Sequence, residues 1–192
     1  MYENQIITEP KWKSWIIQTT TPLFTPEQCR KIIECGRRQP PQQAKVGMGK
    51  PGGGTDTKKR ITTVSWIPFQ EMQPMYRDLD KFVQTCNENH FGFGDIRVTE
   101  NAQFTEYPEG GFYDWHMDCD VNMAHEPPVR KISMTLLLND PSEFEGGHLE
   151  LMAPGKFAEL KQGHAIVFAS FLNHRVNPVT RGVRQSLVVW FG

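Results

Sequence analysis

His116 and Asp118, separated only by Met117, close the run Gln103 to Asp120 (QFTEYPEGGFYDWHMDCD) and are the pair best suited to chemistry. On a β-strand, residues i and i+2 point to the same face. An imidazole and a carboxylate would then project side by side. Such a pair suits a first-row transition metal, and a second imidazole would complete a 2-His-1-carboxylate face with open positions. The other histidines are His90, His125, His148, His164 and His174. His90 ends a helical stretch, where it acts as a last-turn cation. His125 lies in a polar, proline-flanked loop, His148 follows the Gly146-Gly147 turn, and His164 opens a strand beside Gly163. His174 follows a strand and a short loop (AIVFASFLNHRV) and leads into a further β segment, so it stands at a strand mouth and is the preferred third ligand.

Ten residues on, Arg184 and Ser186 share one strand face ahead of the apolar run Leu187 to Phe191 (LVVWF). The apolar run predicts a buried strand, and a buried arginine needs an anion. A guanidinium fork with a neighbouring hydroxyl makes a carboxylate grip.

These groups need a scaffold. In the N-terminal stretch, Trp12, Trp15, Ile16 and Ile17 read as packing residues. Thr25-Pro26-Glu27-Gln28 predicts a helix start with a capping box, Cys29, Ile32 and Ile33 form its apolar stripe, and Gly36 is the expected stop. Residues 39–59 carry prolines, glycines and lysines; the Gly-Lys run there lacks phosphate-loop spacing and reads as a surface loop. Arg60 to Ile67 predicts a strand. Gln70 to Phe91 predicts a second helix, with Met72, Tyr76, Leu79, Phe82, Val83 and Cys86 at helical spacing and Pro74 in its first turn. After Gly94 the texture is all β. The expected strands are Ile96–Tyr107, Tyr113–Asp118, Arg130–Leu138, His148–Met152, Ala165–Phe168, His174–Pro178 and Gln185–Phe191, with turn signals between them, among them Pro154-Gly155. Many short strands at this spacing predict a sandwich or barrel braced by helices.

The 192 residues suit one domain. With 21 basic and 22 acidic residues, nothing points to a nucleic-acid partner, and no apolar run reaches the length of a membrane span. The N-terminus has no apolar signal core, and Cys29, Cys35, Cys86 and Cys119 match no zinc spacing, so free thiols in a reducing, cytoplasmic setting are expected. Oligomeric state is not legible.

Four linked motifs follow one another: Tyr107-x-x-Gly110-x-x-Tyr113-x-x-His116-x-Asp118, Gly146-Gly147-x-Leu149, His174-Arg175-Val176, and Pro178-Val179-Thr180-x-Gly182-x-Arg184-x-Ser186. From about Leu23 to Gly192 the chain thereby resembles the iron(II)- and 2-oxoglutarate-dependent oxygenases, and within them the prolyl 4-hydroxylase-like group. The resemblance implies a mostly β fold with flanking helices, built on a double-stranded β-helix (a cupin-like jelly roll). Residues 96–192 would form that core with the metal site, and residues 1–95 the helical support and a substrate loop. It implies Fe(II) on His116, Asp118 and His174. It places 2-oxoglutarate on Arg184, Ser186 and Tyr107, with O2 as co-substrate and ascorbate as an accessory reductant. It implies a prolyl residue of a peptide or protein as substrate, contacted by Tyr113, Arg130 and Trp190, covered by the Gly-rich loop at 47–58, and hydroxylated with release of succinate and CO2. The same chemistry on a free amino acid is the alternative, and a non-enzymatic jelly-roll binding module a third reading.

Overall fold

The computed structural model describes residues 14–43, 57–119, 129–153 and 159–192. The Gly-rich loop expected to cover the substrate falls almost wholly outside these residues, as do Trp12, His125 and the Pro154-Gly155 turn. The first half of the chain contains β1 (Ile16–Gln18), α1 (Pro26–Arg38), β2 (Gln42–Gln43), β3 (Arg60–Ile61), β4 (Thr63–Ile67), α2 (Gln73–Cys86) and β5 (Ala102–Tyr107). The second half contains β6 (Phe112–His116), β7 (Ile132–Leu137), β8 (Phe144–Gly146), β9 (Leu149–Leu151), β10 (Ala165–Ala169), β11 (His174–Val176), β12 (Val179–Gly182) and β13 (Arg184–Phe191).

Helix α1 starts as its sequence predicts. The Thr25 hydroxyl accepts the Gln28 backbone N–H at 3.3 Å, and the Gln28 side chain accepts the Thr25 N–H at 2.8 Å. Gly36, however, does not end the helix, which runs on to Arg38. Its role is packing: a Cβ at position 36 would sit 2.4 Å from Cγ of Phe104. Only a glycine lets the helix lie this close to β5. The predicted second helix divides into a short 3-10 turn, α2 and a π turn over Asn87–Phe91, ended by Gly92 at φ 73°. The break follows Asn87, whose side chain donates to the Phe93 carbonyl and accepts the Phe93 N–H, both at 3.0 Å. An asparagine that satisfies a neighbouring peptide unit competes with the helical ladder.

The larger sheet has the order β1-β10-β7-β13-β5-β4-β2, and the smaller has β3-β6-β11-β9; β12 pairs with β8. Every pairing is antiparallel. The expected strand Arg60–Ile67 bends from one sheet into the other at Thr62, whose hydroxyl donates to the Glu106 carbonyl at 2.8 Å. The strand expected from Ile96 begins only at Ala102, because Val98 makes just an isolated bridge with Phe191.

Both faces of the larger sheet are covered. On one side, Ile32, Ile33, Leu79 and Val83 of the helices pack with Phe104, Met134, Leu136, Leu187, Val189 and Phe191. On the other, Tyr107, Ile166 and Phe168 meet Val176, Leu149 and Leu151 of the smaller sheet. The fold is the expected double-stranded β-helix, with the space between its two sheets left for chemistry.

Candidate active site

The expectation that His116 and Asp118 share one strand is corrected: β6 ends at His116, and Asp118 lies beyond it. The backbone N–H groups of Asp118 and Cys119 both bond to the Ser170 carbonyl, at 3.0 and 2.9 Å, which turns the chain away from the ladder. The two residues still converge. His116 and His174 are cross-strand partners on β6 and β11, with ring centroids 4.1 Å apart. The Asp118 carboxylate lies 3.8 Å from Nε2 of His116 and 3.5 Å from Nε2 of His174. One ligand atom from each residue falls within 4.8 Å of the others.

The hydrogen bonds decide which nitrogens face this centre. Nδ1 of His116 lies 2.7 Å from the Asp114 carbonyl, and Nδ1 of His174 lies 3.0 Å from the Leu172 carbonyl. A carbonyl only accepts, so both Nδ1 atoms carry the proton and both Nε2 atoms present lone pairs to Asp118. Burial, reinforced by the neighbouring His174, holds His116 well below the ordinary imidazole range, and therefore neutral. Burial pushes Asp118 up, but His174, His116, Trp190 and Ser133 outweigh it and keep the carboxyl below its usual range. Two neutral imidazoles and one carboxylate fit a divalent first-row metal. Among the described residues this is the one cluster that meets the geometric requirement. His90 and His164 stand apart, the latter 3.2 Å from the Thr19 carbonyl, and His148 is exposed beside Glu159.

Arg184 and Tyr107 are directly opposite on β13 and β5. The guanidinium carbon lies 5.6 Å from the Tyr107 ring centre, and Nη1 donates to the Ser186 hydroxyl at 3.1 Å. Arg184 is 3% exposed, and among the described residues no carboxylate pairs with it. Its surroundings disfavour the charge, burial pushing its pKa down. An anion arriving here would meet a desolvated, preorganised fork.

Tyr113, Arg130 and Trp190 also converge. The Tyr113 ring stacks on His116 at 3.4 Å, and the Arg130 guanidinium lies 3.7 Å over Trp190. Burial raises the Tyr113 pKa and keeps its hydroxyl protonated, amid the charges of Arg60, Asp118 and Arg130. The Trp190 indole N–H is buried near Asp118 but, among the described residues, meets no acceptor at full hydrogen-bond geometry.

Four further residues belong here and had no sequence signal. Ser133 donates to Asp118 at 2.7 Å and lies 2.8 Å from the Ser170 hydroxyl. Glu100 holds Arg130, with Nε and Nη2 both 2.7 Å from one carboxylate oxygen. Arg60 covers Tyr113, its guanidinium carbon 4.3 Å from the ring centre. Serines and single charges are too common in strands and loops to stand out; only the tertiary fold brings these together.

Residues 102–192 match the model of the 2OG-Fe(II) oxygenase superfamily. A PKHD-type hydroxylase from Colwellia psychrerythraea is 42% identical over 171 residues, covering 88% of this chain and 74% of that protein. The chain belongs to the 2OG-Fe(II) oxygenases. It resembles the prolyl 4-hydroxylase group within them. A PKHD-type hydroxylase from Acidovorax ebreus is 34% identical over 99 residues, 49% of this chain and 44% of that protein, so this match spans less than half of the relative. Among solved structures, a Pseudomonas putida prolyl-4-hydroxylase superposes with TM-score 0.69 at 23% identity, covering 93% of this oxygenase and 92% of the other chain. A Trichoplax adhaerens prolyl hydroxylase, solved with a hypoxia inducible factor oxygen degradation domain peptide fragment, gives 0.67 at 16% identity, covering 93% and 84%. At these identities the likeness is one of fold. Membership in the superfamily implies Fe(II), 2-oxoglutarate and O2. No helix among the described residues is long and apolar enough to cross a membrane.

Proposed function

We propose that this oxygenase hydroxylates a prolyl residue in a peptide or protein, releasing succinate and CO2. In this reading the whole chain forms one oxygenase domain, residues 1–95 supporting the core at 96–192. His116, Asp118 and His174 hold Fe(II) through Nε2, a carboxylate oxygen and Nε2. When bound, the iron with 2-oxoglutarate and O2 supplies the oxidising power for a C–H bond, chemistry that belongs to the cofactor. Arg184 and Ser186 take the distal carboxylate of 2-oxoglutarate, with Tyr107 beside them.

The observation that carries the substrate assignment is the grouping of Tyr113, Arg130 and Trp190 beside the metal cluster. Both faces of the Tyr113 ring are taken, by His116 and Arg60, so its edge and hydroxyl are what it offers a substrate. Glu100 already balances the charge of Arg130, so a neutral side chain can approach it without leaving a bare cation. The desolvated surroundings shield the reacting centre from water. The prolyl hydroxylases among the structural neighbours support the same reading.

The test supplies Fe(II), 2-oxoglutarate and ascorbate with capped prolyl peptides and measures succinate together with mass gain on the peptide. Succinate release matched by one oxygen atom on proline is the expected result. Oxygen gain on another residue, or on a free amino acid alone, overturns the prolyl assignment while leaving the oxygenase chemistry intact.

A further inference from the structure

Arg60 opens β3, the outer strand of the smaller sheet, and its cross-strand partner is Tyr113 on β6. Directly opposed residues project from the same face, and Tyr113 projects inward to His116. The Tyr113 ring has one face against the His116 imidazole at 3.4 Å. Its other face takes the Arg60 guanidinium at 4.3 Å. Arg60, Tyr113 and His116 thus form a stack that leads from the sheet edge to the metal cluster.

Arg60 is 9% exposed, and its Nε–H is buried without a hydrogen-bond partner. Other arginines of the fold are answered by glutamates: Arg130 by Glu100, Arg175 by Glu150, Arg181 by Glu145 and Arg37 by Glu106. Among the described residues no carboxylate answers Arg60. Arg184, the other buried arginine without a carboxylate, stands on the larger sheet and serves 2-oxoglutarate in the reading above. A buried cation is stable only when paired. Stacking engages the face of a guanidinium and leaves its N–H edge free for a planar, two-oxygen acceptor.

We propose that Arg60 binds a carboxylate of the substrate and so determines which substrates enter. The carboxylate is either an acidic side chain close to the target residue or the free α-carboxylate of a small amino acid or chain end. This assignment rests on the oxygenase reading of the site, and it names the charge that the substrate must carry.

The experiment uses an array of prolyl peptides with Asp or Asn at each flanking position, with free or amidated C-termini, beside free proline and a proline-free set. Binding and oxygen gain are both read for wild type and for Arg60→Gln. Wild type should favour the carboxylate form at one position tenfold or more. An internal position identifies an acidic side chain; preference for free over amidated termini identifies the α-carboxylate. Arg60→Gln should erase that preference without altering the Michaelis constant for 2-oxoglutarate. Arg60→Glu should invert it toward lysine at the same position, which a purely structural clamp on Tyr113 would not do. Should Arg60→Gln misfold, Arg60→Lys keeps the charge without the fork and should weaken the preference in the same two readouts. Absence of any carboxylate preference in wild-type binding overturns the proposal, as does its persistence in the variants or a matching loss of 2-oxoglutarate affinity. Oxygen gain confined to proline-free peptides, with the Arg60-dependent preference intact, sinks the prolyl reading alone.

Discussion

The two faces of β13 are equally buried and do different things. Leu187, Val189 and Phe191 face the helices and are completely enclosed by apolar neighbours. Arg184, Ser186 and Trp190 face the smaller sheet and are 3%, 1% and 4% exposed. On the helix side burial removes apolar surface from water and stabilises the fold. On the inner side it desolvates groups that want partners: among the described residues, an arginine without a carboxylate and an indole N–H near Asp118 without full hydrogen-bond geometry. Burying such groups costs free energy unless they are paired. The alternation of a strand lets one element supply stability from one face and hold incompletely satisfied polar groups on the other. Substitutions on the two faces should therefore fail in different ways.

The largest effect is expected at the metal cluster. His174→Ala should bring turnover to background and abolish tight Fe(II) binding in an anaerobic titration. The metal-free variant should remain folded by circular dichroism, because His174 contributes nothing to the helix-side core. Asp118→Gly is the one partial exception, since an added anion can occupy the vacated position. Normal iron affinity in His174→Ala would show that the ligand set is wrong.

On the opposite face the loss should appear in stability alone. Phe104 is 2% exposed and fills the contact with Gly36. Phe104→Ala should cost about 3–5 kcal/mol in chemical denaturation, with the iron affinity of the folded fraction unchanged. Gly36→Ala should cost about 1–3 kcal/mol by overpacking the same contact. Because both changes act on one space, the double variant should be more stable than the sum predicts. Strict additivity would remove the packing explanation for the length of α1.

Arg184→Ala tests the inner face without touching the metal ligands. Losing a charge-assisted fork from a buried anion costs roughly 2–5 kcal/mol, so the Michaelis constant for 2-oxoglutarate should rise tenfold or more. Arg184→Lys should lose less, keeping charge but not the planar geometry. Added 2-oxoglutarate at 100 times the wild-type Kd should stabilise wild type by about 2.7 kcal/mol and Arg184→Ala, at the same concentration, by about 1.4 kcal/mol or less. Equal shifts in both proteins would place the cosubstrate elsewhere.

Local rules made much of this legible. The capping box at Thr25 and the apolar stripe of α2 were readable because helix signals lie within a few residues. The grouping of His116, Asp118 and His174 was readable from the linked motifs. The course of α1 past Gly36 was not, because the reason is Phe104, 68 positions away in the chain and fixed only by tertiary packing. The end of β6 before Asp118 was not readable either, since it depends on the Ser170 carbonyl. Nor was Glu100, whose meaning comes from Arg130, 30 positions away in the chain.

The smallest effect predicted concerns Ser133, where both faces of the comparison meet on β7. Asp118 is ionised and can only accept, so the Ser133 hydroxyl proton is committed to it at 2.7 Å. The Ser170 hydroxyl, 2.8 Å from Ser133, must then be the donor in that pair. Ser170 thus orients the carboxylate twice, through its carbonyl on the Asp118 backbone and through its hydroxyl on Ser133. Loss of a partner that orients a metal ligand typically lowers metal affinity about 10–100-fold. Ser133→Ala should show a weakening of that size in Fe(II) titration, with the 2-oxoglutarate constant and the unfolding midpoint close to wild type. Ser170→Ala should lose less, because its carbonyl still holds the backbone. If the hydroxyls act in series, the double variant should bind iron no worse than Ser133→Ala. A double variant that loses the product of the two single effects would mean that each serine acts on Asp118 independently.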